Sequence, residues 1–291
     1  MYIYFTKMQG LGNDFAVIDH VRYHTEITPD MVRRMADRHF GIGFDQLLLV
    51  EPPEQPELDF NYRIFNHDGS EVEQCGNGAR CFMRFIQQQG LTNKHCVKVK
   101  TSAGIISMES NADRPELITV NMGAPRFTFP EVPFIPTPDQ STVAPYPVKV
   151  AEEWIHVYPV SMGNPHAVIL QQDSAIPVDL VRLERLGQAI NQHTQFPAGV
   201  NLSVMQRVSK TAIDLHVYER GAGQTLACGT AACAAVAAGQ YYGLLQTTGN
   251  QDVQVHLPGG DLYVAQNAQG EMMLSGPAEE VFTGRIWLNT H

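Results

Sequence analysis

The sequence predicts an α+β chain of two similar domains. Three observations carry that prediction. Short apolar runs with strand-like alternation recur along the 291 residues, separated by glycine and proline clusters. Helical signals are confined to four segments, 29–39, 77–89, 179–192 and 229–242. The second half also repeats landmarks of the first at an offset near 153 residues.

Taken in order, residues 2–8 and 15–19 read as strands joined by the turn Gly10-Leu11-Gly12-Asn13. Thr28 before Pro29 is a helix start, with Thr28 as N-cap and proline where no N–H is needed. That helix is expected to reach His39 and stop at Gly41, with His39 as a cap. Apolar strands follow at 46–50 and 62–65. The helix 77–89 ends at Gly90, and further strands lie at 97–101, 104–108 and 117–121.

Seven prolines then fall between 123 and 147 (Pro125, Pro130, Pro133, Pro136, Pro138, Pro145 and Pro147), reading as extended linker or irregular edge. The domain crossing is placed there. The first domain covers 1–125 and is completed by 279–291; the second covers 126–278. Strands resume at 154–158 and 167–170, and 179–192 is an amphipathic helix. Strands at 201–205 and 212–218 precede a second glycine-started helix, 229–242. Strands at 253–257, 261–264, 272–274 and 281–287 close the chain.

The repeat is specific. Gly12-Asn13 with Ala16-Val17-Ile18 matches Gly163-Asn164 with Ala167-Val168-Ile169, an offset of 151. Gly43-Phe44-Asp45-Gln46-Leu47 resembles Ala198-Gly199-Val200-Asn201-Leu202. Asn66 precedes Cys75, and Glu219 precedes Cys228, by nine residues each. Cys75-Gly76-Asn77-Gly78-Ala79-Arg80-Cys81 answers Cys228-Gly229-Thr230-Ala231-Ala232-Cys233. Two domains related by an approximate twofold would present the same turn to a shared cleft.

A net charge of −10 argues against nucleic-acid or anionic-membrane partners, which need a clustered basic face. The longest apolar stretch, 226–238, is too short to span a bilayer. The start, MYIYFTKMQGLGND, lacks the pattern of an export signal. With five cysteines, an odd number, this points to a reducing cytoplasm and free thiols.

Cys81, Cys96 and Cys233 read as small buried hydrophobes. Cys75 and Cys228 read differently, because each precedes glycine at a helix start. Unsatisfied N–H groups there favour negative charge and are expected to lower a thiol's pKa. Two equivalent thiols across one cleft suit inversion of a carbon next to a carboxylate. One takes a proton from one face and the other supplies a proton to the opposite face. N–H groups around Gly76-Asn77 and Gly229-Thr230 would stabilise the charge that develops on the carboxylate.

These motifs, together with Met8-Gln9-Gly10-Leu11-Gly12-Asn13-Asp14-Phe15, Gly163-Asn164-Pro165-His166 and Glu219-Arg220-Gly221, closely resemble diaminopimelate epimerase. The resemblance spans nearly the whole chain. It implies a cofactor-independent enzyme, with no metal, interconverting LL- and meso-diaminopimelate for lysine and peptidoglycan synthesis. It also implies two similar domains, each a curved, mainly antiparallel sheet around a central helix, with the active site in the cleft between them, and a homodimer. Cys75 and Cys228 match the acid/base pair. Asn13, Gln46, Asn66, Asn164, Asn201, Glu219 and Arg220 match substrate-binding positions, as do Gly76, Asn77, Gly229 and Thr230 around the reacting carboxylate. His166 and Glu219 match positions that tune the thiols or hold the ammonium. Gln9, His67 and Gln224 depart from the family's usual His, Ala and Glu, and Phe282 stands where relatives carry a dimer-contact Tyr.

Gly10-x-Gly12 and Gly76-x-Gly78 lack the third glycine of a dinucleotide loop, since Phe15 and Cys81 occupy that place. Two alternatives remain. Another amino-acid racemase would keep both cysteines and change the distal pocket. A redox sensor would pair Cys75 with Cys228 and leave the asparagines and Arg220 without a purpose.

Overall fold

A computed structural model describes residues 1–72, 75–102, 104–137, 143–150, 152–246 and 251–288. The chain divides into two compact units, Met1–Asn121 with Ser275–His291, and Met122–Leu274.

The first unit begins with strands β1 (Tyr2–Gly10) and β2 (Asn13–Asp19), then helix α1 (Pro29–Ala36). Strands β3 (Gln46–Glu51), β4 (Phe60–Asn66) and the short β5 (Glu71–Val72) lead into helix α2 (Gly76–Gln88). Strands β6 (Cys96–Thr101), β7 (Gly104–Ser110) and β8 (Leu117–Asn121) follow. Pairing is antiparallel for β1–β2, β3–β4, β4–β5, β6–β7 and β7–β8, and parallel for β2–β3 and β4–β6.

The second unit contains β9 (Tyr146–Val150), β10 (Glu153–Ser161) and β11 (Pro165–Gln171), then helix α3 (Leu180–Ile190). After it come β12 (Asn201–Arg207), β13 (Ala212–Glu219), β14 (Gly223–Thr225) and helix α4 (Gly229–Tyr241), with β15 (Val253–Leu257) and β16 (Gly260–Gln266) beyond. The pattern repeats: β10–β11 antiparallel, β11–β12 parallel, β12–β13 and β13–β14 antiparallel, β13–β15 parallel, β15–β16 antiparallel. Strand β17 (Met272–Pro277) follows. The last strand, β18 (Glu279–Trp287), returns to lie antiparallel to β1, as β9 does to β10.

Each unit is thus an α+β sheet wound about one helix. Ten of the thirteen residues are buried in both α2 and α4. A helix so enclosed must fit close to its strands. Gly78 shows how: a Cβ there would fall inside van der Waals distance of Tyr62 Oη and 3.3 Å from Leu48 Cδ2. In α4 the same closeness comes from its alanine run.

Some expectations are corrected. Helix α1 stops at Ala36, short of His39, because Asp37 turns out of the helix and caps it. Its Oδ1 accepts from the N–H groups of His39 and Phe40, both at 2.8 Å, and Ile42 N closes onto Met35 O at 2.7 Å. Of the two readings of the proline-rich stretch, its described residues bear out the irregular edge and not the linker, with Arg126 bridging to Ser161. Val132 and Phe134 are buried in the second unit's core with Tyr146, Ile155 and Phe196, and Pro147 lies within β9 opposite His156. Pro138 lies outside the described residues. Strands β5, β9 and β14 went unpredicted. No helix among the described residues is long and apolar enough to cross a membrane.

Candidate active-site clusters

In the first unit, the register of three strands collects the expected polar residues. Phe15 on β2 lies beside Gln46 on β3, and Gln46 lies opposite Asn66 on β4, so Gln46 Nε2 donates to Asn66 Oδ1 at 3.0 Å. Asn66 in turn donates to Ser70 Oγ at 3.2 Å across the Asp68-Gly69 turn. Asn13 opens β2, and Cys75 is the N-cap of α2, in extended conformation with φ −145° and ψ 111°. The half-buried Cys75 Sγ accepts from Gly78 N at 3.4 Å and faces Asn13 Oδ1 at 3.8 Å. Asn77 Nδ2 reaches the same Asn13 oxygen at 3.4 Å, while Asn77 Oδ1 takes a hydrogen bond from Arg80 Nη2 at 2.9 Å. Arg80 is fully buried and also donates to Pro277 O at 3.1 Å.

Behind Asn13 stands a charged network that sequence reasoning missed. Asn13 Nδ2 donates to Asp45 Oδ2 at 2.9 Å, and Asp45 Oδ1 accepts from Arg38 Nη2 at 2.8 Å. Arg38 also grips both oxygens of Asp14 at 2.9 Å, and buried Lys7 pairs with Asp14 at 2.7 Å. Burial works against the charged form of Asp14, but hydrogen bonds from Arg38 and Lys7 prevail and hold its pKa down at about 2. Asp45 and Arg80 both lie inside the recurrent motifs. What the sequence hid is which side-chain atoms they orient.

The second unit builds its own cluster the same way. Cys228 is the N-cap of α4, again extended, with φ −131° and ψ 112°. Its sulfur lies 3.4 Å from Thr230 Oγ1. Unlike Cys75 it is buried, and burial pushes its thiol well above the ordinary value, with the Glu219 charge adding to the effect. The expected lowering by the helix N-terminus is therefore overturned at this position: desolvation and a neighbouring carboxylate outweigh the helix. Glu219 accepts from Thr225 Oγ1 at 2.6 Å.

His166 on β11 is fully buried beside Asn201 on β12, and its Nε2 lies 2.9 Å from Asn164 Oδ1. Burial, then the charge of Arg220, lowers its pKa to about 3, so the ring is neutral at physiological pH. Asn201 Oδ1 accepts from the backbone N–H of Arg220 at 2.8 Å. The Arg220 guanidinium rests on Ala198 O, in a cavity of about 480 Å³ shared with Asn191, Gly199 and Tyr218. Gly199, at φ +67°, has no room for a side chain, since a Cβ would stand 2.8 Å from both Arg220 Cδ and Asn191 Oδ1.

Two of the departures from the family pattern adjoin the first cluster: His67 N donates to Asp45 O at 3.1 Å, and Gln9 Oε1 accepts from Gly12 N at 3.1 Å. Gln9 bonds Glu279 at 2.8 Å, and Gln224 bonds Leu180 O and Glu184 on α3, both at 3.0 Å. Of the cysteines expected to be buried, Cys81 and Cys233 are, but Cys96 is exposed, because the alternation of β6 turns Cys96 and Lys98 outward. Burial raises the Cys81 thiol to about 12.

A two-repeat α+β fold with a cysteine capping the central helix of each repeat defines the class. The same fold appears in a PhzF-family phenazine biosynthesis protein from Bacillus anthracis, with 16% identity, TM-score 0.71, and 99% of this chain and 100% of that one covered. It appears in a probable proline racemase from Agrobacterium radiobacter (16%, 0.69, 99% and 93%) and in a hydroxyproline epimerase from Agrobacterium vitis (14%, 0.67, 98% and 92%). The family model for diaminopimelate epimerase matches residues 5–128 and 158–281, and the chain belongs to that family of isomerases.

Proposed function

We propose that the chain is a cofactor-independent epimerase interconverting LL-2,6-diaminopimelate and meso-2,6-diaminopimelate, in lysine and peptidoglycan precursor synthesis. The observation that carries this reading is the recurrence of an extended cysteine N-cap on a buried, glycine-started helix in both units. Membership of the family supports it.

In this reading Cys75 and Cys228 stand on opposite faces of the substrate Cα. The sulfur that is ionised removes the proton, and the electron pair moves into the carboxylate as an enediolate. The other sulfur, protonated, returns a proton to the opposite face, so the pair ends with its protonation exchanged. The N-termini of α2 and α4, at Gly76-Asn77 and Gly229-Thr230, supply N–H groups to the enediolate. Gln46, Asn66, Asn164, Asn201 and Arg220 would hold the distal amino-acid end, Arg220 by a forked contact to its carboxylate, while Asn13, 3.8 Å from Cys75 Sγ, would meet the substrate near the reacting carbon. Glu219, whose charge already acts on Cys228, would receive the reacting ammonium.

We further propose a cytoplasmic homodimer, in keeping with the exposed Val281, Phe282 and Trp287 along β18.

The test is exchange of the substrate α-hydrogen in D₂O under reducing conditions, without pyridoxal phosphate. LL-diaminopimelate is assayed beside proline, hydroxyproline and other amino acids. Exchange with inversion is expected on diaminopimelate, and is lost in Cys75→Ala and in Cys228→Ala. Retained epimerisation in either variant defeats the two-thiol mechanism, and preference for proline or hydroxyproline defeats the substrate assignment.

A further inference from the structure

Asparagine amides have two faces of opposite polarity, and only their partners decide which points where. Around Cys75 those partners are ions. The Asp45 carboxylate can only accept, so the Asn13 atom facing it at 2.9 Å is the NH₂ group. The carbonyl oxygen of Asn13 is therefore the atom presented to Cys75 Sγ, at 3.8 Å. The Arg80 guanidinium can only donate, so the Asn77 atom facing it at 2.9 Å is the oxygen, and the Asn77 NH₂ faces Asn13 Oδ1. The two locks agree with one another. Asp45 is itself held by Arg38 at 2.8 Å, by Asp14 N at 3.1 Å, and through its own backbone N–H to Asp14 O at 3.0 Å.

A carbonyl oxygen accepts the S–H of a thiol and repels a thiolate. We propose that Asp45 is a positioning residue that keeps Cys75 protonated, by locking the Asn13 amide with its carbonyl toward the sulfur. The Gly78 N–H, at 3.4 Å, acts the other way, so the resting state is a balance that a bound substrate displacing Asn13 would tip toward the thiolate. Among the described residues of the first unit, the titratable groups that act on Cys75 include Tyr62 on β4 and Cys81 on α2, and Arg80 lies on the same helix. Lys7, Asp14 and Arg38 stand behind Asp45. The catalytic meaning of this lock rests on the function proposed above; its geometry does not.

The test reads the thiol without substrate, so a failure of the proposed epimerase activity leaves it intact. Iodoacetamide alkylation of Cys75 is followed against pH by peptide mass spectrometry, with exposed Cys96 replaced by Ser. An amide at position 45 can donate as well as accept, so Asp45→Asn frees Asn13 to turn its NH₂ to the thiolate. Its alkylation midpoint is expected to fall by about one pH unit, roughly tenfold more thiolate below the midpoint. Asn13→Ala, which deletes the carbonyl, is also expected to lower the midpoint, and in that background Asp45→Asn adds nothing further. An unchanged midpoint in Asp45→Asn overturns the proposal. So does an equal fall in both backgrounds, which would make the effect one of charge through space. If Asp45→Asn does not fold, an unchanged or raised midpoint in Asn13→Ala overturns it alone.

Discussion

Acid loads a proton onto position 166 of the unfolded chain well before the folded chain can accept one. An unfolded histidine titrates near 6.5, whereas fully buried His166 is lowered to about 3 by desolvation and by Arg220. The folded value is depressed, so the stability contributed by the neutral ring is complete above about pH 6.5 and drains away as the pH falls toward 3. At pH 5 the folded ring is still neutral, and the loss is set by the unfolded value. A unit and a half at about 1.4 kcal/mol per unit gives about 2 kcal/mol. That is a sizeable part of the roughly 5–15 kcal/mol that stabilises an ordinary domain. His166→Gln isolates it, because an amide does not titrate and its NH₂ can still donate to Asn164. Urea unfolding at pH 7 and pH 5, in a Trp287→Phe background, lets Trp154 report the second unit alone. The parent is expected to lose about 2 kcal/mol more than the Gln variant between the two pH values. Equal losses would mean that His166 takes up its proton while folded, and the account of its burial would fall.

Two further outcomes follow from close packing and from the second thiol. Gly78→Ala drives a methyl group into Tyr62 Oη and should destabilise the first unit by about 1–3 kcal/mol; Tyr62→Phe, which removes a buried hydroxyl without a hydrogen-bond partner, should recover most of that loss in thermal unfolding, and no recovery would place the clash elsewhere. Raising the pH from 8 to 10 should cost the parent about 1.4 kcal/mol through Cys228, because a thiol whose folded pKa is raised stabilises below the unfolded value, near 9, and loses that contribution above it. Cys228→Ala should escape this loss, and a parent profile as flat as that variant's would mean that the sulfur ionises in the folded chain as readily as in the unfolded one.

Much of this was legible in the sequence, for physical reasons. Glycine turns and a cysteine before glycine are local signals, so the two helix starts could be found and their repetition noticed. The strands with alternating or continuous apolar runs, such as β3 and β15, declared themselves likewise. What stayed hidden depends on partners remote in the chain. Strands β5 and β14 are two and three residues long and exist only as the returning edges of β4 and β13. Strand β9 carries Pro147, which argues for a loop unless its neighbour is known. The helix N-terminus at Cys228 suggested an acidic thiol, but the burial and the Glu219 side chain that reverse that sign belong to tertiary structure. Asp45 could be seen in its motif, while its hold on Asn13 required the parallel pairing of β2 with β3.

The pairing of β18 with β1 has a consequence for how the protein is made. Strand β1 is translated long before this partner, which it gains only when residues 279–287 have been made. The second unit, Met122–Leu274, is one uninterrupted segment and is fully synthesised before that point. At ~5–20 residues per second the wait between Asn121 and the last strand is on the order of ten seconds or more. The unit that begins first in sequence is thus the last to be closed, and a ribosome stalled between Leu274 and Glu279 would hold a second unit synthesised in full and a first one still lacking the partner of β1.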